Sequence, residues 1–198
     1  MNPKTFIFIG RSGCGKGTQA VRLSEYLKKT DPAHPIQYIE TGERFRKFIA
    51  GESAASKRAN AIYERAERQP DFLAIWMWSS FIVDELSENE HLIIDGTPRS
   101  KDEAEVLLGA LNFLDRKDVH VVYLNVSKEW SLARLSERGR VDDTSLAKRE
   151  KRLAWFDTDV IPAVEFLQSA SGVNFHDING ERTRDEVEKE MLEKVFSL

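Results

Sequence analysis

The chain has 198 residues and one cysteine, enough length for one substantial core and too few thiols for an internal disulfide or a multi-cysteine zinc site. Its 29 basic residues are outnumbered by 33 acidic ones, for a net charge of −4, which argues against a dedicated nucleic-acid binder because nonspecific affinity for a polyanion needs a concentrated basic surface. With 41% hydrophobic and 31% charged residues, and no apolar run that reaches membrane-spanning length or resembles a signal peptide, the composition predicts a single globular unit in the cytoplasm without a membrane partner.

Residues 5–9 form an apolar, β-branched and aromatic run. Gly10-Arg11-Ser12-Gly13-Cys14-Gly15-Lys16-Gly17-Thr18-Gln19 follows, then Ala20, Leu23 and Leu27 at helical spacing. A strand, a glycine-rich loop and a helix in this order predict a P-loop, because backbone N–H groups wrap an anion only where side chains are absent and the next helix points its positive end at the same place. Lys16 supplies a point charge for the outer phosphates. The hydroxyl that ordinarily follows this lysine arrives one residue late, at Thr18, with Gly17 between. Cys14 reads as a small side chain beside the phosphates rather than an activated thiol.

The first helix is expected to end near Lys28 and Lys29, and the turn-rich Asp31-Pro32-Ala33-His34-Pro35 leads into a strand over 36–39. Thr41 is expected to cap a helix that carries Glu43 in its first turn. A polar helix is predicted over about 53–68 and an apolar one after Pro70, with Phe72, Ile75, Trp76, Ile82, Val83 and Leu86 as core and with Trp76 and Trp78 on different faces. Residues 91–95 read as a buried parallel strand whose end presents Asp95, followed by Gly96-Thr97-Pro98-Arg99. A helix with Ala104, Leu107, Leu108, Leu111 and Leu114 on one side comes next, then a strand over 119–126. Arg134 and Arg138 are then i, i+4 partners on one helical face, and Gly139 ends that helix before Arg140. A long helix from about Thr144 contains Arg149, Arg152, Leu153, Trp155 and Phe156 and is expected to kink or break at Pro162. A last strand over 173–178, a turn at Asn179-Gly180 and a terminal helix with Val187, Met191, Leu192 and Val195 inward complete the chain.

Alternating strands and helices predict an α/β fold with an open, mostly parallel five-stranded sheet and helices on both faces. Ligands in such sheets bind beyond the carboxyl ends of the strands, where the P-loop, Asp95 and Arg99 all fall. Arg46, Arg99, Arg134, Arg138, Arg140 and Arg152 exceed what one triphosphate requires, which points to two phosphorylated substrates and phosphoryl transfer between them.

Four segments, residues 10–19, Thr41-Gly42-Glu43-Arg44-Phe45-Arg46, Asp95-Gly96-Thr97-Pro98-Arg99 and Gly139-Arg140-Val141-Asp142-Asp143, stand in an order that resembles the adenylate kinases and close nucleoside monophosphate kinases. The likeness runs from Phe6 to about Val187. It implies a P-loop kinase core (1–40, 90–138 and 145–198), a helical monophosphate-binding insert over about 41–70 and a short mobile lid over about 138–144. It also implies magnesium and reversible transfer of the ATP γ-phosphoryl to AMP, with ATP, AMP and ADP as partners and a monomer as the family's default. By resemblance, Gly13, Cys14, Gly15, Lys16, Gly17 and Thr18 hold the ATP phosphates, Arg134 and Arg138 serve the ATP side, and Gly180 and Arg182 form the turn that receives adenine. Thr41, Gly42, Arg46, Gln69, Gly96, Arg99 and Glu103 form the AMP side, Lys16, Arg99, Arg134, Arg140 and Arg152 surround the transferring phosphoryl, and Asp95 orders magnesium through water. In this family the metal is held largely through water and phosphate oxygens, so a hydroxyl directly after Lys16 is not demanded.

The departures are specific. Gly139 alone separates Arg138 from Arg140, which resembles the short-lid forms and leaves no room for a zinc knuckle. Glu43 stands where aspartate is usual, Thr97 replaces an aromatic residue, and Glu67-Arg68-Gln69 replaces more apolar residues. Glu103 occupies the place of a glutamine that reads adenine. An ionised glutamate only accepts hydrogen bonds, which suits the two donors of guanine, whereas the resemblance implies that Thr41 favours adenine; the third alternative is that Glu103 faces solvent. AMP stands ahead of GMP or a pyrimidine monophosphate because more of the site matches it, and a nucleotide-binding regulatory protein without transfer is the reading from another class.

Overall fold

The computed structural model describes residues 2–137 and 145–197. Five strands, β1 (Thr5–Gly10), β2 (Ile36–Glu40), β3 (His91–Asp95), β4 (Val119–Asn125) and β5 (Val173–Asn179), form one sheet in the order β2-β3-β1-β4-β5. Every neighbouring pair is parallel. The helices are α1 (Lys16–Thr30), α2 (Thr41–Ile49), α3 (Ala54–Glu64), α4 (Asp71–Glu85), α5 (Lys101–Phe113), α6 (Lys128–Glu137), α7 (Leu146–Trp155), α8 (Ile161–Ser169) and α9 (Arg184–Phe196).

The two-residue period of β1 divides the core. Phe6 and Phe8 face Ala20, Leu23 and Leu27 of α1 and Val187, Met191 and Val195 of α9. Ile7 and Ile9 face the opposite layer, where Trp78 of α4, Leu107 and Leu111 of α5 and Leu167 of α8 pack. Burying each of these large aliphatic or aromatic side chains contributes about 1.5–3 kcal/mol, so both layers clamp the central strand that leads into the glycine loop. A third, smaller cluster joins Phe45 of α2, Ala59 of α3 and Leu73, Ala74 and Met77 of α4.

Strands are added on one side of β1 by β2 and β3 and on the other by β4 and β5, so the order reverses at β1. In open parallel sheets that reversal leaves a crevice at the carboxyl edge. The alternating pattern therefore places the loop after β1, the end of β2 and the end of β3 around one opening.

Three expectations are corrected. The cap of α2 is Glu40, not Thr41, which is the first helical residue. The Thr41 hydroxyl is instead 2.9 Å from that of Thr97, while Glu40 completes the strand pairing opposite Asp95. The apolar helix α4 does not bury all of its large side chains: Phe72, Trp76 and Val83 are 71%, 50% and 80% exposed. A helix that is apolar on every side can present only some faces to its neighbours, and Leu73, Ala74, Met77, Trp78, Phe81 and Ile82 take the buried ones. In the terminal helix Val187, Met191 and Val195 are buried, while Leu192 is only partly so. The break expected at Pro162 takes the form of a π-helical turn, Phe156–Val160, with Pro162 in the first turn of α8, where its missing N–H is tolerated.

Candidate active site

The carboxyl edge of the sheet opens onto a cavity of about 1010 Å³. Gly13, Cys14, Gly15, Lys16, Gly17 and Thr18 line its floor. Gly15 caps α1 at φ 98°, a left-handed conformation that glycine enters without a Cβ penalty, and the unpaired amides of the first helical turn follow it. The Lys16 ammonium donates to the carbonyls of Gly10 at 2.7 Å and Arg11 at 3.0 Å, folded over the loop it serves. A Cβ on Gly17 would stand 3.2 Å from Asp95 Oδ2. The glycine that displaces the expected hydroxyl thus gives the β3 carboxylate room beside the start of α1.

Asp95 is buried at the end of β3 and lines the cavity. Burial pushes its pKa up, while Lys16 opposes the shift and the Tyr38 hydroxyl donates to Oδ2 at 3.2 Å. The Tyr38 pKa is itself raised, first by burial and then by Asp95. Gly42, Arg46, Gly96 and Arg99 line the same side. Arg99 donates from Nε to the Gly96 carbonyl at 2.7 Å, and burial pulls its pKa below the ordinary arginine value. Arg46 donates from Nη2 to Glu40 Oε1 at 2.9 Å.

Thr41, Gln69 and Glu103 do not line this cavity. Gln69 donates to the Ala59 carbonyl at 2.9 Å, and its buried Oε1 has no partner among the described residues. Glu103 is fully buried, which removes the solvent-facing alternative. Its carboxylate accepts from the Arg99 amide at 2.6 Å, Trp78 Nε1 at 3.1 Å and Thr97 Oγ1 at 3.3 Å. Burial raises its pKa, and these donors together with the Arg99 charge oppose the rise. With the Thr97 proton committed to the carboxylate, Thr41 is the donor in the hydroxyl pair. Ser100 accepts from the Glu103 amide at 3.2 Å, so the stretch Ser100-Lys101-Asp102-Glu103 begins α5 as a cap related to the capping box.

The opposite end of the cavity carries Arg134, Gly180 and Arg182. The Arg134 guanidinium lies 4.8 Å from the centre of the Trp130 ring. A Cβ on Gly180 would stand 2.6 Å from Val126 Cγ1, so only glycine brings this turn so close to β4. Arg182 is held by the Asn179 carbonyl and by an ion pair with Glu190. Arg152 reaches in from α7 and donates to Ser12 Oγ at 3.2 Å. The π-helical turn is tied to the loop by Arg11, which sits 4.5 Å above the Phe156 ring and 2.6 Å from Asp157 Oδ1. Arg138 and Arg140 lie outside the described residues.

Tyr38, Glu40, Trp130, Arg22 and Arg184 also line the cavity, and the sequence reading missed them. Three had a signal: Tyr38 and Glu40 share one face of a strand that ends at the site, and Trp130 is one helical turn before Arg134.

A glycine loop after β1, a carboxylate ending β3 and arginines from several elements around one elongated cavity define a P-loop nucleotide kinase. The family described as adenylate kinase matches residues 8–172. An adenylate kinase of Flavobacterium psychrophilum is 29% identical over 199 residues, covering 97% of this chain and 98% of that protein. One of Stenotrophomonas maltophilia is 30% identical over 193 residues, covering 96% and 97%, and one of Synechococcus sp. is 31% identical over 163 residues, covering 82% and 84%. The chain belongs to the adenylate kinase family.

Proposed function

We propose that this chain acts as an adenylate kinase, transferring the γ-phosphoryl of magnesium ATP reversibly to AMP to give two ADP. The observation that carries the reading is that cations from both ends of one cavity, Arg46 and Arg99 at one and Arg134 and Arg182 at the other, flank a single phosphate loop. Two nucleotides laid end to end would meet over Lys16, and transfer needs little beyond alignment and neutralisation of the phosphoryl oxygens. Lys16, Arg99, Arg134 and Arg152 are the described groups assigned to that neutralisation, with Arg140 completing the set from the proposed lid (138–144) and Arg138 assigned to the ATP side. The proposed monophosphate segment (41–70) supplies Gly42 and Arg46. Thr41, Gln69 and Glu103, carried over from the family as substrate contacts, act behind the cavity wall.

The acceptor is AMP. Glu103 suggested guanine because its carboxylate only accepts, yet its oxygens are occupied by Arg99, Trp78 and Thr97. Asp95 is the group assigned to magnesium: a buried, oxygen-only donor beside Lys16 with the space that Gly17 leaves suits a hard cation held through its own waters. When bound, the metal would neutralise charge on the phosphate oxygens. Among the described residues no helix is long and apolar enough to cross a membrane, and a cytoplasmic monomer is proposed.

The test is kcat/KM across AMP, GMP, CMP and UMP with ATP as donor. AMP is expected to lead by at least about tenfold; a lead for GMP would overturn the choice of acceptor, and turnover of none would overturn the kinase reading in favour of a nucleotide-binding regulator.

A further inference from the structure

Glu40 ends β2 inside the cavity, directly before the segment that carries Arg46. Although it occupies the cap position of α2, its side chain makes no capping hydrogen bond; it turns to Arg46, at 2.9 Å. Arg46 and Arg99 converge on one spot: the place a Cβ would occupy on Gly42 lies 3.3 Å from Arg46 Nη1 and 4.0 Å from Arg99 Nη2. Two guanidiniums bracketing a residue without a side chain leave a place for a dianion. In the free protein a carboxylate already holds one of them.

We propose that Glu40 is an autoinhibitory residue of the acceptor site: it occupies Arg46 in place of the acceptor's phosphate, so that monophosphate binding exchanges one anion for another. The inference rests on the reading of Arg46 and Arg99 as the acceptor's phosphate contacts. The exchange is cheap for the protein because the Glu40 side chain is 30% exposed and that of Arg46 36%, so the displaced carboxylate returns to solvent. A phosphate dianion drives the exchange because it offers more charge and a second oxygen to the paired arginines, whereas a neutral nucleoside offers neither and leaves the ion pair in place. Glu40 thereby sets the affinity of the acceptor site: it weakens every ligand that needs Arg46 and makes no contact with Arg134 or Arg182 at the ATP end. Its strand neighbour Asp95, opposite it in register, disfavours a second unpaired carboxylate in the free site and so strengthens the hold on Arg46.

The test is Glu40→Gln, with Glu40→Ser as a second variant, compared with wild type in steady-state kinetics and calorimetry. KM for AMP is expected to fall about three- to tenfold, the worth of a partly exposed ion pair plus relief of repulsion from the incoming phosphate. KM for ATP is expected to stay within about twofold. In calorimetry AMP should bind more tightly to the variants while adenosine binds equally to all three proteins. An unchanged or raised KM for AMP would overturn the proposal, the latter by showing that Glu40 holds Arg46 in place for the substrate. An equal fall in KM for ATP would also overturn it, by reducing the effect to overall charge. If the wild type phosphorylates no monophosphate at all, the reading of the site fails and the proposal with it.

Discussion

Replacing Glu103 with glutamine tests whether this residue reads the acceptor base or holds the wall behind it. Three donors converge on the carboxylate: the Arg99 amide on Oε2, and Trp78 Nε1 and Thr97 Oγ1 on Oε1. Glutamine keeps one oxygen and adds an NH₂. If the oxygen stays on the Arg99 amide, the NH₂ confronts Trp78 Nε1; if it flips, it confronts Arg99. One obligate donor is orphaned either way. An unsatisfied buried donor costs about 1–3 kcal/mol, and the loss of hydrogen bonds to a charge adds a similar amount. Relief of the burial that raises the Glu103 pKa offsets part of this. A net loss of about 1–3 kcal/mol is expected, which in a domain of this size lowers Tm by about 3–10 °C. Because the Arg99 amide is among the groups loosened, kcat/KM should fall several-fold for every monophosphate while their order is kept. Thermal unfolding and the acceptor panel measure both quantities. A variant with wild-type Tm and a switched preference among the bases would refute the reasoning, since it would place Glu103 against the base.

Three further outcomes are expected. Lys16→Ala or Arg99→Ala should lower kcat/KM by about 10²–10³, because each removes a charge assigned to the transferring phosphoryl; near-normal turnover contradicts the assignment. Trp130→Ala should raise KM for ATP about two- to fivefold and leave KM for AMP alone, since Arg134 loses the ring it rests on; equal changes for both nucleotides would mean general unfolding of that end. In acid, burial holds His176 down to about 4, with His120 3.0 Å away also opposing its charge. Below about pH 6.5 the unfolded chain binds a proton that the folded one refuses, so stability should fall from there towards pH 4, by about 1–3 kcal/mol after allowance for partial exposure. His176→Asn should flatten the unfolding curve between about pH 6.5 and 4.5; an unchanged slope would assign the loss to other groups.

Much of the fold was legible because it rests on short-range rules. The run before Gly10 and the run ending in Asp95 are buried parallel strands, continuous in apolar residues because both faces are covered, and the structure pairs them in register. Lys16, Asp95 and Arg99 were recognisable because glycine turns at strand ends lead to the carboxyl edge of a sheet. What escaped depends on tertiary partners. Whether Thr41 caps α2 is decided by Thr97, far along the chain, and the exposed side of α4 is decided by which faces α2, α3 and the sheet take up. Glu103 was read as a choice between a base and solvent because sequence gives no sign that Trp78, from another helix, will bury it. The ion pair of Glu40 with Arg46 was hidden for the opposite reason: both residues are local, but only the bend from β2 into α2 folds one back on the other.

The central claim is that one cavity holds two adenine nucleotides and passes a phosphoryl between them in either direction. The direct measurement is to supply magnesium and ADP as the only nucleotide and follow the products by chromatography. ATP and AMP should rise in equal amounts with no inorganic phosphate. Conversion of ADP to AMP and phosphate, or persistence of ADP under conditions where the protein is folded, would contradict the account.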